Sequence, residues 1–299
     1  QFGIGSSQNS WVGNANHYGQ PPAPSAWAPS YMAARPGPIG HNAPCLALRP
    51  ICMTVTAAAA PDFVPAPHLA LQQVRLQRGR TTVFDGLSLS LAEPRIGLIG
   101  DNGAGKTSLL RLLCGLEVPD TGRVLSQGQD LHAAGSQRAR WVGMMFQNPD
   151  DQIIFPTVEE ELGLSLQYRG VARKAAIVQA QAFLAQRGLA AWAPRAVSSL
   201  SQGQRQQVCL LAMLLAAPQV MLLDEPFASL DLPGRARLAA ELERSAAQIV
   251  ISTHVLAHVR HFERVLWLDA GQLRADGPGA TVCAAYEADV RQRLQALGD

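Results

Sequence analysis

Residues 100–107 read Gly-Asp-Asn-Gly-Ala-Gly-Lys-Thr, with the short apolar run Arg95–Gly100 leading in and a helical pattern leading out from Lys106. No other stretch constrains the fold as strongly. Glycines without a Cβ let successive backbone N–H groups converge on one anion, and the helix that follows adds the partial positive charge of its N-terminus. The order strand, glycine-rich loop, helix is what a phosphate cradle requires. The candidate binding set is therefore Gly100, Asp101, Asn102, Gly103, Ala104, Gly105, Lys106, Thr107 and Ser108. In such a loop Lys106 reaches the β- and γ-phosphates, and the Thr107 hydroxyl ligates Mg²⁺.

A cradle of this kind needs a buried strand under it, and the sequence around it supplies several. Leu69–Leu76 and Leu87–Leu91 read as strands, the second by strict alternation, and strand-like runs recur at Trp141–Phe146, Val220–Leu223, Ile249–Ser252, Val265–Leu268 and Gln272–Ala275. Helical stretches lie between them, so the body from residue 67 to 299 predicts a mostly parallel α/β sheet. From about residue 148 to 217 helix follows helix, which predicts an inserted helical subdomain. Residues 1–66 differ. They hold three charged side chains and are crowded with Pro, Gly, Ala, Ser and Asn. That composition predicts a disordered leader. Met53-Thr-Val-Thr reads as a natural translation start inside it, with a regulatory tail as the alternative.

Composition removes several classes of function. Apolar residues make up 47% and the net charge is +2, which leaves material for a core and no electrostatic footprint for a nucleic-acid binder. The longest apolar run of the body, Val208–Ala217, stops at Pro218, about half of what a membrane-spanning helix needs. The five cysteines are scattered and contain no Cys-x-x-Cys pair, so neither a disulfide framework nor a zinc site is expected.

A second motif supports the cradle. Val220-Met-Leu-Leu-Asp224-Glu225 is a buried-strand pattern from which two acids emerge at the C-terminal end, where open α/β sheets bind ligands. Asp224 suits a hold on Mg²⁺, and Glu225 suits orientation or deprotonation of an attacking water. A guanine-reading Asn-Lys-x-Asp tetrapeptide is absent. Between the two motifs stands Leu200-Ser-Gln-Gly-Gln204, preceded by Phe146-Gln147 and followed by Ser229-Leu-Asp231 and Ser252-Thr-His254. With these in order over about residues 68–277, the chain resembles the ABC ATPases.

The resemblance implies a phosphate-loop ABC ATPase fold: a mainly parallel core sheet, antiparallel strands near the N-terminus, and an inserted helical subdomain carrying the signature Leu200–Gln204. It implies ATP as substrate and Mg²⁺ held by Thr107, Gln147 and Asp224. Glu225 is the water-orienting carboxylate, His254 the γ-phosphate sensor and Gln147 the glutamine of the loop that tracks the helical subdomain. Ser201, Gly203 and Gln204 precede or open a helix expected to start near Gln204. In the family they face the nucleotide of a second copy or paralogue, as does the loop of Asp231, so ATP joins two subunits head to tail. Two positions depart from the pattern. Gln202 stands where glycine is usual, and Arg78 stands where a tyrosine usually stacks on adenine, a role a guanidinium plane can take.

The string Phe146-Gln-Asn-Pro-Asp-Asp-Gln152, continuing through Thr157-Val-Glu-Glu-Glu161, is similar to the ATPases of energy-coupling factor transporters. That similarity implies a short extra helix after the glutamine loop, within Asn148–Glu161, and partners in the membrane: a T-component and a substrate-binding S-component. The subunit would sit peripherally on the cytoplasmic face of a prokaryotic membrane. After the last strand only about 24 residues remain, which resembles the dedicated biotin and cobalt ATPases, with biotin favoured. The alternative is a soluble ABC ATPase acting on ribosomes or DNA, which usually shows two cassettes or a coiled-coil insert.

Overall fold

The computed structural model describes residues 69–298. The leader expected over 1–66 lies outside the described residues. The chain begins with β1 (Leu69–Arg78), β2 (Thr81–Leu91) and β3 (Arg95–Ile99), then α1 (Lys106–Leu113), β4 (Thr121–Ser126) and β5 (Gln129–Asp130). A single helical turn α2 (Arg138–Trp141) leads to β6 (Val142–Met145), followed by α3 (Val158–Gln167), α4 (Arg173–Gln186) and α5 (Gln202–Ala216). The chain then runs through β7 (Val220–Asp224), α6 (Leu232–Arg244), β8 (Gln248–Ser252), β9 (Arg264–Asp269), β10 (Gln272–Gly277) and α7 (Gly279–Gly298).

Two sheets result. Strands β2-β1-β4-β5 form an antiparallel sheet, and β10-β9-β3-β8-β7-β6 form a six-stranded sheet. In the second sheet β9, β3, β8, β7 and β6 pair in parallel, and only β10 runs the other way. The parallel strands β7 and β8 are buried at every residue. This explains their unbroken apolar runs, since helices cover both faces of a parallel sheet. Helix α1 buries Leu109, Leu110, Leu112 and Leu113 in the core shared with Leu69, Phe84, Leu98, Val250 and Leu266. The cradle is thus fixed to its helix by packing on both sheets.

The stretch 148–217 contains α3, α4 and α5; a short turn joins α3 to α4, and a longer connection with single turns at Ala190–Trp192 and Val197–Ser199 joins α4 to α5. Val158, Leu162, Ala180, Leu184, Val208 and Leu211 form a core of their own among these helices. The other side of α5, through Cys209, Leu210 and Met213, packs into the core under the six-stranded sheet. Ala217, in the left-handed conformation, and then Pro218 end α5.

Several expectations are corrected. The strand expected over Leu87–Leu91 begins at Thr81; the register slips near Gly86 broke the alternation that made it readable. β4 and β5, polar and short, were not expected at all. The extra helix expected within Asn148–Glu161 is a single turn, Pro149–Asp151, and α3 starts at Val158. Asn148 caps that turn by accepting from the Asp150 N–H at 3.3 Å. Pro156, lacking an N–H, stands just before α3. Helix α5 starts at Gln202 rather than Gln204, with Ser201 as its cap, so Gly203 lies inside the first turn.

Candidate functional site

The loop from β3 to α1 turns at Gly100, whose φ is 144°; a Cβ there would lie 2.1 Å from the Leu268 carbonyl oxygen. Only glycine fits. At the other end Gly105, at φ 104°, serves as the left-handed N-cap of α1. Between them, Lys106 Nζ donates to the carbonyl oxygens of Gly100 (2.8 Å) and Asp101 (3.0 Å). Burial lowers the Lys106 pKa, and the negative charges of Glu225, Asp224 and Asp101 oppose that shift. The ammonium is therefore half-buried, held by weak neutral acceptors, and surrounded by carboxylates.

Strand β7 delivers its acids beside this loop. Thr107 Oγ1 donates to Asp224 Oδ2 at 2.7 Å. Glu225 follows at φ 48°, a left-handed conformation rare for a long side chain, and its N–H donates to the Ser252 carbonyl at 3.0 Å. The tip of β8 supplies the next group: His254 Nδ1 lies 2.9 Å from Glu225 Oε2. Phe146 N–H at the end of β6 donates to Gln152 Oε1 (3.1 Å), which folds the following loop back beneath Gln147. Lys106, Thr107, Ser108, Gln147, Asp224, Glu225 and His254 line one open cleft of about 700 Å³, with Asn102, Gly103 and Gly105 on its floor and Arg78 and Val83 at its edge.

Not every expected residue reaches this cleft. The Asp101 carboxylate turns away to α7, where it accepts from Tyr286 Oη (2.6 Å) and Arg293 Nη1 (2.6 Å). Those bonds hold its pKa below the usual carboxylate range, while burial and the Asp101 contact push Tyr286 up to about 12. Gly100 and Ala104 contribute backbone only; the Ala104 side chain is buried in the core. Arg78 keeps its place at the edge but pairs bidentately with Glu117 (Nε–Oε1 2.9 Å, Nη2–Oε2 2.6 Å). Ser201, Gly203, Gln204 and Asp231 do not line the cleft of their own chain. Ser201 and Gln204 form a reciprocal cap, with Gln204 N–H donating to Ser201 Oγ (3.3 Å) and Ser201 N–H to Gln204 Oε1 (3.0 Å). Asp231 Oδ1 caps α6 by accepting from Gly234 N–H at 2.8 Å.

Sequence reasoning missed four residues that shape the site: Glu117, Tyr286, Gln206 and Arg293. Each acts across a long sequence separation, and none belongs to a local pattern.

A sheet of parallel strands with a lysine-bearing cradle at the end of β3 and an acid pair at the end of β7, one strand removed across β8, defines a phosphate-loop nucleotide-hydrolysing protein. Residues 84–228 match the family model described as ABC transporter. The chain is 44% identical to the biotin transport ATP-binding protein BioM of Rhodobacter capsulatus, over 75% of this chain and 95% of that one. It is 33% identical to the energy-coupling factor transporter ATP-binding protein EcfA1 of Lactiplantibacillus plantarum, over 76% and 80% of the two chains. The structure of cbiO1 from Clostridium perfringens, described as part of the ABC transporter complex cbiONQ, shares the fold: TM-score 0.63 at 22% identity, over 78% of this chain and 98% of that one. The chain belongs to the ABC transporter ATP-binding proteins, a family of ATPases, and within it resembles the ATP-binding subunits of energy-coupling factor transporters. No helix among the described residues is long and apolar enough to cross a membrane.

Proposed function

We propose that this chain is the ATP-hydrolysing subunit of an energy-coupling factor importer for biotin. The biotin assignment rests on the 44% identity to the Rhodobacter capsulatus biotin transport subunit, whose length the match covers almost completely. The assignment of hydrolysis rests on one observation: Lys106, the Thr107–Asp224 pair and the Glu225–His254 pair face a single cleft.

Lys106 is released from two carbonyls and engages the β- and γ-phosphates, with burial lowering its pKa and three carboxylates opposing that shift. Thr107 Oγ1 and Asp224 Oδ2, with the Gln147 amide, form a hard oxygen set suited to Mg²⁺. Among the described residues no three His, Cys, Asp or Glu side chains converge on a metal by themselves. Thr107, Asp224 and Gln147 would hold a magnesium ion, and phosphate and water would supply its other oxygens. Bound there, it would neutralise charge developing on the phosphates. Glu225 accepts the proton of the attacking water, and His254, 2.9 Å away, steadies that carboxylate. Arg78, fixed by Glu117, offers its guanidinium face to the base.

Ser201, Gly203, Gln204 and Asp231 act on the nucleotide of a second copy or paralogue, since they are remote from their own cleft. The membrane partners are a transmembrane T-component and a biotin-binding S-component, with this subunit peripheral at the cytoplasmic face. The test is uptake by proteoliposomes holding the chain with a T-component and a biotin-binding S-component. Biotin accumulates with internal MgATP, Co²⁺ does not, and Lys106→Ala abolishes both ATP binding and uptake. Cobalt uptake without biotin uptake would overturn the substrate; unchanged nucleotide binding in Lys106→Ala would overturn the cleft.

A further inference from the structure

Gln206 lies one turn into α5 from the Ser201 cap and is only 2% exposed. Its Nε2 donates to two backbone carbonyls outside its own helix, those of Pro226 (3.0 Å) and Glu225 (3.4 Å). Two acceptors facing one atom demand a donor, so the amide orientation is set. The other half of the amide has no such service: Oε1 is buried without a hydrogen-bond partner among the described residues, beside a cleft of about 710 Å³ between α5 and α6. A leucine or methionine here would leave the two carbonyls without this donor.

The peptide that Gln206 holds is the one that needs holding. Glu225 adopts φ 48°, and such a conformation persists only where its surroundings over-determine it. Three groups do so. Ser252 accepts the Glu225 N–H, Ala228 N–H donates to the Glu225 carbonyl at 3.2 Å, and Gln206 donates from the side. The first belongs to the next strand and the second to the same turn. Only Gln206 reaches in from the helical subdomain.

We propose that Gln206 is a positioning residue: by gripping the Glu225–Pro226 backbone it aims the Glu225 carboxylate at His254 and ties that aim to the helix capped by Ser201. The inference rests on the reading of Glu225 as the hydrolytic carboxylate. A displacement of the α5 N-terminus then reaches Glu225 through one side chain, without passing through the nucleotide.

The experiment uses the full chain with its membrane subunits and measures ATPase kcat, KM and pH profile for Gln206→Met and Gln206→Glu. Gln206→Met keeps the length and removes the donor; kcat falls roughly ten-fold with KM changed by less than about two-fold, since the lost bond acts on the reacting geometry. Gln206→Glu donates only while its carboxyl is protonated. Its activity therefore falls as pH rises and recovers as pH is lowered, a limb that wild type and Gln206→Met lack. Should Gln206→Met fail to fold, the pH limb of Gln206→Glu decides alone. If Gln206→Met keeps wild-type kcat, or if Gln206→Glu shows no limb of its own, the residue only packs and the assignment is overturned. Glu225→Gln runs in parallel. Wild-type turnover in that variant overturns the reading of Glu225 itself, whereas abolished turnover beside unaffected Gln206 variants overturns the positioning role alone.

Discussion

Glu161 is a buried carboxylate that touches no ligand, and its removal gives a sharp test of how the loop after Gln147 is built. Its Oε2 accepts two backbone N–H groups, from Ile154 (2.9 Å) and Phe155 (2.8 Å). Each is a hydrogen bond to a charged acceptor, worth about 1.5–3 kcal/mol, so Glu161→Ala removes at most about 6 kcal/mol. The lower end applies because Ile154 is 71% exposed and water can reach the freed N–H groups. The expected loss is about 3 kcal/mol, against about 1 kcal/mol for Glu161→Gln, which keeps a neutral acceptor in the same place. Denaturant unfolding measures the difference, and amide exchange at Ile154 and Phe155 locates it. At about 1.4 kcal/mol per decade, protection there falls roughly 10²-fold in Glu161→Ala. ATP hydrolysis by the isolated subunit stays near wild type, because Glu161 is outside the cleft. Unaltered exchange at both amides in Glu161→Ala would refute the clamp, and so would equal losses for the two variants.

Two further outcomes follow from the site. Glu225→Gln keeps nucleotide binding, blocks turnover by at least about 10²-fold, and traps an ATP-bound dimer visible on sizing as twice the monomer mass; a monomer under the same conditions counts against the trans roles of Ser201 and Asp231. Tyr286→Phe removes one hydrogen bond to Asp101 and costs about 1 kcal/mol in urea melts, with ATP affinity within about three-fold of wild type. The Asp101 latch also has a pH sign: its folded-state pKa is depressed, so the stabilisation is complete above the ordinary carboxylate range and is lost as pH falls through the lowered value. Protection of the α7 amides, taken relative to intrinsic exchange at each pH, falls in acid for wild type and stays flat for Asp101→Asn, which measures it.

What could be read in the sequence was what the chain encodes locally. The cradle is eight consecutive residues between a strand and a helix. The acid pair ends one strand, and the Ser201–Gln204 cap spans a single helical turn. Patterns with periods of two or of three to four residues carry such features whole. The parts that stayed hidden join distant segments. Arg78 meets Glu117 across 39 residues, and Asp101 meets Tyr286 across 185. An arginine and a glutamate on a surface give no sign of each other until the strands between them are paired. Asp101 is expected in the binding set from its place in the loop, and nothing local in the sequence shows that its carboxylate turns to Tyr286 and Arg293. The short extra helix within Asn148–Glu161 is an expectation from the resemblance to energy-coupling factor ATPases; the stretch forms a single turn, Pro149–Asp151, and Pro156 stands just before α3.

The departure at Gln202 illustrates how the two glycine positions of the signature differ in physical demand. Gln202 is the first residue of α5 and has no left-handed φ, so a side chain is accommodated at no cost in backbone conformation. Gly203, one position later, also sits in helical geometry, but a Cβ there would lie 2.7 Å from the Ser229 carbonyl oxygen. That carbonyl belongs to the turn leading to Asp231, the cap of α6. The requirement for glycine at 203 is therefore the close approach of two backbones, and the requirement at 202 is absent. The signature turn can carry glutamine in its third place and still bring the α5 N-terminus against the Ser229–Asp231 loop. Those two segments must meet a second nucleotide together if the trans reading is right. The same close approach packs the turn after Glu225 against α5, and so keeps the Gln206 amide within reach of the Glu225 carbonyl.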